Sequence, residues 1–269
     1  MTTLQFIFVS TLFLFISIIK INGQSSSLAV AYVVEAEEFK QNQLPDSAII
    51  FYEKAAIEFQ IIGNTENYVD CYNQIGIILT RQDKYEKAKS YLDKALSTGL
   101  SSLDSNNLVI ATTYISLGVI YNAEEKYVQS LTYHFKALSI RLQQLGEWNA
   151  QVATSYGNIG NVYRNNKEFE KSIDAHLKAM QIRQKLFGDS SVQIIDSYVG
   201  LGNSYREKKE YTTSLDYFEK ALRNKIIQRG EGHKDLAKYY KNISDVYFLM
   251  KNKEQGDFYK NKSEEVTKR

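Results

Sequence analysis

Gly157-Asn-Ile-Gly-Asn-Val-Tyr-Arg-Asn-Asn-Lys-Glu-Phe-Glu-Lys-Ser-Ile-Asp-Ala-His-Leu-Lys-Ala179 is one copy of a pattern that runs through most of the chain. Its central glycine, Gly160, has counterparts at Gly76, Gly118 and Gly202, at steps of 42 residues, and Ser244 takes the same place one step later. A fixed period of this size is the signature of stacked repeats. Around the quoted stretch, Val152, Tyr156, Ile159 and Tyr163 recur at steps of 4, 3 and 4, which marks one face of a helix. Asn165, Asn166 and Lys167 form a polar turn, and Phe169, Ile173, His176 and Leu177 mark a second amphipathic helix. The small residues have steric tasks. Gly160 and Ser172 let the two helices of a copy approach, and Ala179 lets the second helix meet the next copy. A single helix pair cannot bury its apolar stripe alone, so the copies must stack.

Working outward, the first repeat spans about residues 29–60, with Ala36 in place of the glycine. The others follow near 69–100, 111–145, 153–187 and 195–229, and the last begins with a first helix near 237–253. The step from the first to the second is 40 residues and every later step is 42. Residues 254–269 carry Gly256 and the polar run from Lys260 to Arg269, and read as a C-terminal capping helix with the soluble outer face that a repeat array needs at its end.

Composition narrows the function classes. The chain has 269 residues, 43% hydrophobic and 24% charged, with one proline, so the usual helix breaker is almost absent. Lys plus Arg is 33 and Asp plus Glu is 31, a balance that argues against nucleic acid as a partner. Residues 4–19 form an apolar run, ended by Lys20 and followed by Ile21, Asn22 and Gly23. The run is short for a membrane span, which needs about 20 apolar residues. It fits residues 1–23 as a signal peptide cleaved after Gly23, with 24–28 a short polar lead. The competing reading is an uncleaved N-terminal anchor. Cleavage would leave a chain without a membrane span, exported to a periplasm or secreted. Cys71 is the only cysteine, so no internal disulfide is available and packing must supply the stability.

The repeats resemble the tetratricopeptide family. Repeat five carries the family's pattern at Tyr198, Leu201-Gly202, Tyr205, Tyr211, Ser214, Phe218 and Ala221, and repeat four at Tyr156, Ile159-Gly160, Tyr163, Phe169, Ser172 and Ala179. The 42-residue step, with Leu-Gly-Glu at 145–147 and Phe-Gly-Asp at 187–189, looks like the longer-helix subtype of kinesin light chains, shared by exported bacterial proteins. The closing proline of the short repeat is missing throughout, and Pro45 stands where repeats two to five carry Tyr or Phe. The resemblance implies an all-α, superhelical solenoid of about six helix-turn-helix repeats, right-handed, whose first helices line a concave groove.

No catalytic constellation is present in the sequence. There is no phosphate loop, no Gly-x-Ser-x-Gly elbow and no Cys or His spacing for a metal. His134 and His176 occupy the slot that Phe218 fills in repeat five and read as packed side chains; Cys71 reads as a packed thiol, and His233 as a solvated link residue. The reading is therefore not an enzyme, with no cofactor and no metal. The resemblance places groove residues by their offset from the glycine. They include Asn158, Asn161 and Arg164 in repeat four, Asn203 and Arg206 in repeat five, and Lys241 and Asn242 in repeat six. Repeat two offers Asp70, Asn73, Gln74, Ile77 and Thr80. A carboxamide both donates and accepts, so it can bond a peptide backbone whatever side chains that peptide carries. The arginines and Lys241 suit acidic side chains or a terminal carboxylate. The expected function is capture of a peptide or protein segment in the groove. The alternative is a sensor or regulatory part of an envelope signalling system.

Overall fold

A computed structural model describes residues 27–268 of the chain. The expected signal peptide and residues 24–26 of the polar lead lie outside the described residues, and Ser27 and Leu28 open the first helix. Among these residues the fold is all-α, with twelve helices that follow one another in sequential pairs. The first helices of the pairs are α1 (Ser27–Gln41), α3 (Thr65–Arg81), α5 (Leu108–Ala123), α7 (Ala150–Asn165), α9 (Ile195–Glu207) and α11 (Ala237–Leu249). Their second helices are α2 (Pro45–Ile61), α4 (Tyr85–Ser102), α6 (Tyr127–Leu145), α8 (Phe169–Phe187), α10 (Tyr211–Arg229) and α12 (Lys253–Lys268). The chain divides into two compact units at Ile120 and Tyr121.

Each turn inside a pair has the same backbone. The second residue after the first helix sits at positive φ, at Gln43, Asp83, Glu125, Lys167, Lys209 and Lys251. The next amide reaches back to a carbonyl five residues earlier, as Glu168 N–H does to Tyr163 (2.9 Å) and Glu210 N–H to Tyr205 (2.9 Å). This is the helix-ending motif that usually employs glycine at the left-handed position. Here polar residues take that position at some conformational cost. The links between pairs do use glycine. Gly146, Gly188 and Gly230 hold φ of 73°, 81° and 83° with ψ of 171°, 165° and 160°, a region open to glycine alone.

In the C-terminal unit the core gathers Ile159, Val152, Ala153, Ala179 and Ile182 in one cluster, and Leu201, Phe218, Leu236, Ile243 and Val246 are buried further along the chain. Serines stitch the paired helices. Ser172 Oγ donates to the Gly160 carbonyl (2.8 Å) and Ser214 Oγ to the Gly202 carbonyl (2.7 Å). In the last pair the bond runs the other way, from Ser244 Oγ to the Gly256 carbonyl (2.8 Å). The small residue on the second helix thus supplies a donor as well as clearance. Neighbouring pairs are joined by buried guanidinium groups. Arg141 donates to the Gln151 carbonyl and to Ser155 Oγ, both at 3.0 Å, and Arg183 donates to Ser197 Oγ at 2.6 Å. These two arginines, one period apart, tie α6 to α7 and α8 to the start of α9.

The histidine slot is as the sequence suggests, and tighter. His176 lies between two glycines, one on the partner helix and one on the next pair. A Cβ added at Gly160 would fall 2.7 Å from its Nε2, and one at Gly200 would fall 2.4 Å from its Nδ1. Phe218 closes on Gly202 in the same way, and Leu92 on Gly76. Neither ring nitrogen of His176 has a hydrogen-bond partner. Burial first, then the nearby Arg164 and Arg183, lower its pKa to about 3; burial and Arg141 lower that of His134 to about 4. Cys71 is buried, and desolvation pushes its thiol pKa far up, which makes it a packed and unreactive group. The last helix, α12, buries fully only Gly256 and Val266.

Candidate functional site

The first helices of the two units present different surfaces. In the N-terminal unit the polar residues on this side satisfy one another. Lys40 Nζ meets Glu37 Oε1 at 2.5 Å and reaches Tyr52 Oη and Gln74 Oε1 at 3.3 Å each. The Tyr52 hydroxyl also donates to Glu37. Asp70 lies beside this cluster, and desolvation raises its carboxyl pKa. Asn73, expected on the groove, is instead fully buried. Its carboxamide donates to the Val109 carbonyl (3.0 Å) and accepts from Thr113 Oγ1 (2.7 Å), so it joins α3 to α5. Three residues before the glycine of α3, the side chain meets α5 and becomes a buried connector, whereas Lys241 at the same offset on α11 (Ala237–Leu249) is exposed.

In the C-terminal unit the same side is open. Asn158, Asn161 and Arg164 stand on α7, Asn203 and Arg206 on α9, and all five are half-buried. On α11, Lys241 is exposed and Asn242 half-buried. Arg164 and Arg206 are near enough to act on each other. Burial chiefly, and then the Arg206 charge, lower the pKa of Arg164, while Glu207 opposes the shift. Arg206 is paired with Glu207 at 3.3 Å. Arg164 reaches only the Asn165 side-chain oxygen at 3.4 Å, and Asn165 donates in turn to Asn122 Oδ1 at 3.1 Å. The carboxamides of Asn158, Asn161, Asn203 and Asn242 take no hydrogen bond from, and give none to, any described residue. Two guanidinium groups of like charge beside a row of free carboxamides favour an acidic or carboxylate-bearing guest.

Glu207, Asn122 and Asn165 also fall at groove offsets in the sequence, but their pairings are given by the structure alone. Glu207 neutralises part of the Arg206 charge, and Asn122 extends the polar row through Asn165. Gly200, the counterpart of Asn158, belongs to the core under His176 and contributes nothing to the face. Among the described residues no group of three His, Cys, Asp or Glu side chains is placed to hold a metal, and no helix is long and apolar enough to cross a membrane. His233 caps the turn before α11, where Nδ1 accepts from the Asp235 amide at 3.1 Å.

Comparison with known proteins agrees with this architecture. BtubC (BKLC) from P. vanneervenii is similar with a TM-score of 0.66 at 17% identity, over 90% of this chain and 91% of that one. A Podosopora anserina protein of nearly identical TPR-like repeats, classed with kinesin light chain, is similar with a TM-score of 0.60 at 12% identity, over 74% of this chain and 95% of that one. PilF from Pseudomonas aeruginosa is similar with a TM-score of 0.59 at 14% identity, over 86% of this chain and 88% of that one. At these identities the likeness concerns the fold. No curated protein matches the sequence. The model of the tetratricopeptide repeat matches residues 68–143, 151–227 and 193–255, in phase with the helix pairs described above, and the chain belongs to the tetratricopeptide repeat family.

Proposed function

We propose that the protein is a non-catalytic binding module that holds an extended, acidic peptide segment on the first-helix face of its C-terminal unit. Repeats of this family are in general protein–protein interaction modules, and no enzymatic family is matched. One observation carries the choice of face. The N-terminal unit pairs its first-helix polar groups among themselves, whereas Asn158, Asn161, Asn203 and Asn242 have no partner among the described residues. Free carboxamides on successive first helices can bond a backbone in turn, and Arg164, Arg206 and Lys241 can meet its acidic groups.

Changing Asn161 and Asn203 together to alanine tests the reading. Half-exposed polar groups without partners contribute little to folding, so stability should move by no more than about 0.5 kcal/mol. A partner retrieved by the wild type should be lost from the variant in a parallel pull-down, with circular dichroism showing both proteins equally helical. Undiminished capture by an intact double variant would remove this face from consideration.

Export belongs to the same proposal, since it decides which partners are met. It rests on the apolar run of residues 4–19 and the small residue Gly23. The mature protein should begin at or near Gln24 when its N-terminus is sequenced. Recovery of a chain that starts at Met1 or Thr2 would exclude cleavage and favour an anchor.

A further inference from the structure

An aromatic ring that nearly every pair supplies for itself is missing from the fourth. The second helix of each pair places a residue beside a ring of the first helix at one recurring position. These residues are Phe51, Tyr91, Tyr133, Tyr217 and Tyr259, and in the fourth pair Ala175. Tyr133 stacks on Tyr121 with centroids 5.4 Å apart and planes 5° apart. Tyr217 stacks on Tyr205 at 5.7 Å and 6°, and Tyr259 on Tyr247 at 5.6 Å and 11°. Phe51 stacks on Phe39 at 5.2 Å. Tyr163 is the corresponding first-helix ring of the fourth pair. With alanine at 175, it has no aromatic partner among the described residues.

The space left behind is a pocket of about 200 Å³, bounded by Tyr156, Ile159, Tyr163, Ala175, Phe135 and Lys178, with Lys171 and Asp174 at its rim. A second, independent departure meets it there. The residue of the preceding pair that faces this position is Glu53 between the first two pairs, where it accepts the Tyr91 hydroxyl at 2.5 Å. One period on from its counterpart Asp93, the position holds Phe135, which is 46% exposed. The ring is missing here and an apolar side chain stands at the facing position; at the next boundary that position is again apolar, Leu177, although Tyr217 is kept. Lys178 lies over the Tyr156 ring at 5.4 Å and pairs with no carboxylate among the described residues.

We infer that this pocket receives a phenylalanine side chain from a partner polypeptide. The chain's own rings at the equivalent positions define the stacking geometry for the guest. Phe135 adds an apolar wall to the slot, which suits an aromatic ring. None of the pocket residues belongs to the first-helix face proposed above, so this site stands or falls separately.

The probe is acetyl-Asp-Phe-amide, with acetyl-Asp-Leu-amide as comparator, titrated into protein carrying labelled Ile and Ala methyl groups. The phenylalanine probe should give saturable ring-current shifts at the Ile159 and Ala175 methyls, and the leucine probe should bind at least about tenfold more weakly. Ala175→Tyr should fold like the neighbouring pairs and fill the slot from within, which would abolish the shifts. Phe135→Glu, a milder change at the wall, should weaken the phenylalanine probe by a similar factor. The Asn161→Ala, Asn203→Ala variant should bind the probe as the wild type does. Equal binding of the two probes, undiminished binding to Ala175→Tyr, or the absence of any saturable shift would each overturn the assignment. So would self-association that Ala175→Tyr abolishes, because the slot would then belong to a second copy of the chain.

Discussion

Lowering the pH from about 7.5 to about 5 should remove about 2 kcal/mol of folding stability for each of His134 and His176, about 4 kcal/mol in all. Both imidazoles are buried, with folded-state pKa values lowered to about 4 and about 3 from an ordinary 6.5. Above about pH 7.5 neither the folded nor the unfolded chain holds the extra protons, and the histidines contribute no pH dependence. Below it the unfolded chain takes up protons that the folded chain refuses, so stability falls as pH falls. The decline continues until the pH passes the folded values. His134 would stop contributing to the slope near pH 4 and His176 near pH 3. The cause is positional. Arg141 lies near one ring, Arg164 and Arg183 near the other, and no carboxylate is among the groups that perturb either. Urea denaturation at about pH 7.5 and about pH 5 should show the loss. A variant with leucine at both positions, the residue that fills this slot at Leu92, should lose much less between the same two pH values. Parallel behaviour of variant and wild type would assign the acid sensitivity to carboxylates elsewhere.

Gly160→Leu should destabilise the protein by about 1–3 kcal/mol, the usual cost of forcing extra carbon into a packed interior. The gain in helix propensity on replacing glycine is about 0.8 kcal/mol, and it offsets only part of that cost. An isolated clash with a side-chain tip could be relieved by rotation. His176 has nowhere to rotate to, because the Gly200 side of its ring is as close as the Gly160 side. Adding His176→Ala to Gly160→Leu should therefore recover part of the loss, and a double-mutant cycle should show coupling above about 0.5 kcal/mol. Coinciding thermal melts of wild type and Gly160→Leu would contradict the packing described.

The helix pairs were readable because small residues must recur wherever helices touch, and Gly76, Gly160 and Gly202 do so at one phase. The aromatic slot was readable for the same reason, since Leu92, His176 and Phe218 each answer a glycine. The turns were less readable. Gln43, Asp83, Glu125, Lys167, Lys209 and Lys251 share a left-handed backbone without sharing a residue type, and none is the glycine that normally signals it. Asn73 was misplaced because an offset along one helix does not say what the next pair brings against it. Ala175 carried no signal as a residue. It becomes informative beside Tyr133 and Tyr217, since the rings those pairs contain show what its own pair lacks. For the candidate face, sequence placed Asn161, Arg164, Asn203 and Arg206 at a common phase. The self-pairing of Glu37, Lys40 and Tyr52 that distinguishes the N-terminal unit depends on distances that spacing alone does not carry.

The guanidinium bridges of Arg141 and Arg183 bear on cooperativity. In an array of repeats, the length that unfolds as one block depends on how strongly neighbours are coupled relative to each repeat's own stability. A buried arginine whose hydrogen bonds end on the following pair belongs to that coupling and to neither pair alone. Separating the pairs at Arg183 would break its 2.6 Å bond to Ser197 and leave it the 3.5 Å contact with Thr154 Oγ1 in its own pair, so fraying that reaches this boundary loses a buried hydrogen bond. These bridges add to the coupling along the stretch from α6 into α9. Tyr163 and the slot beside it lie between the two bridges, so local opening around a guest seated there would work against both.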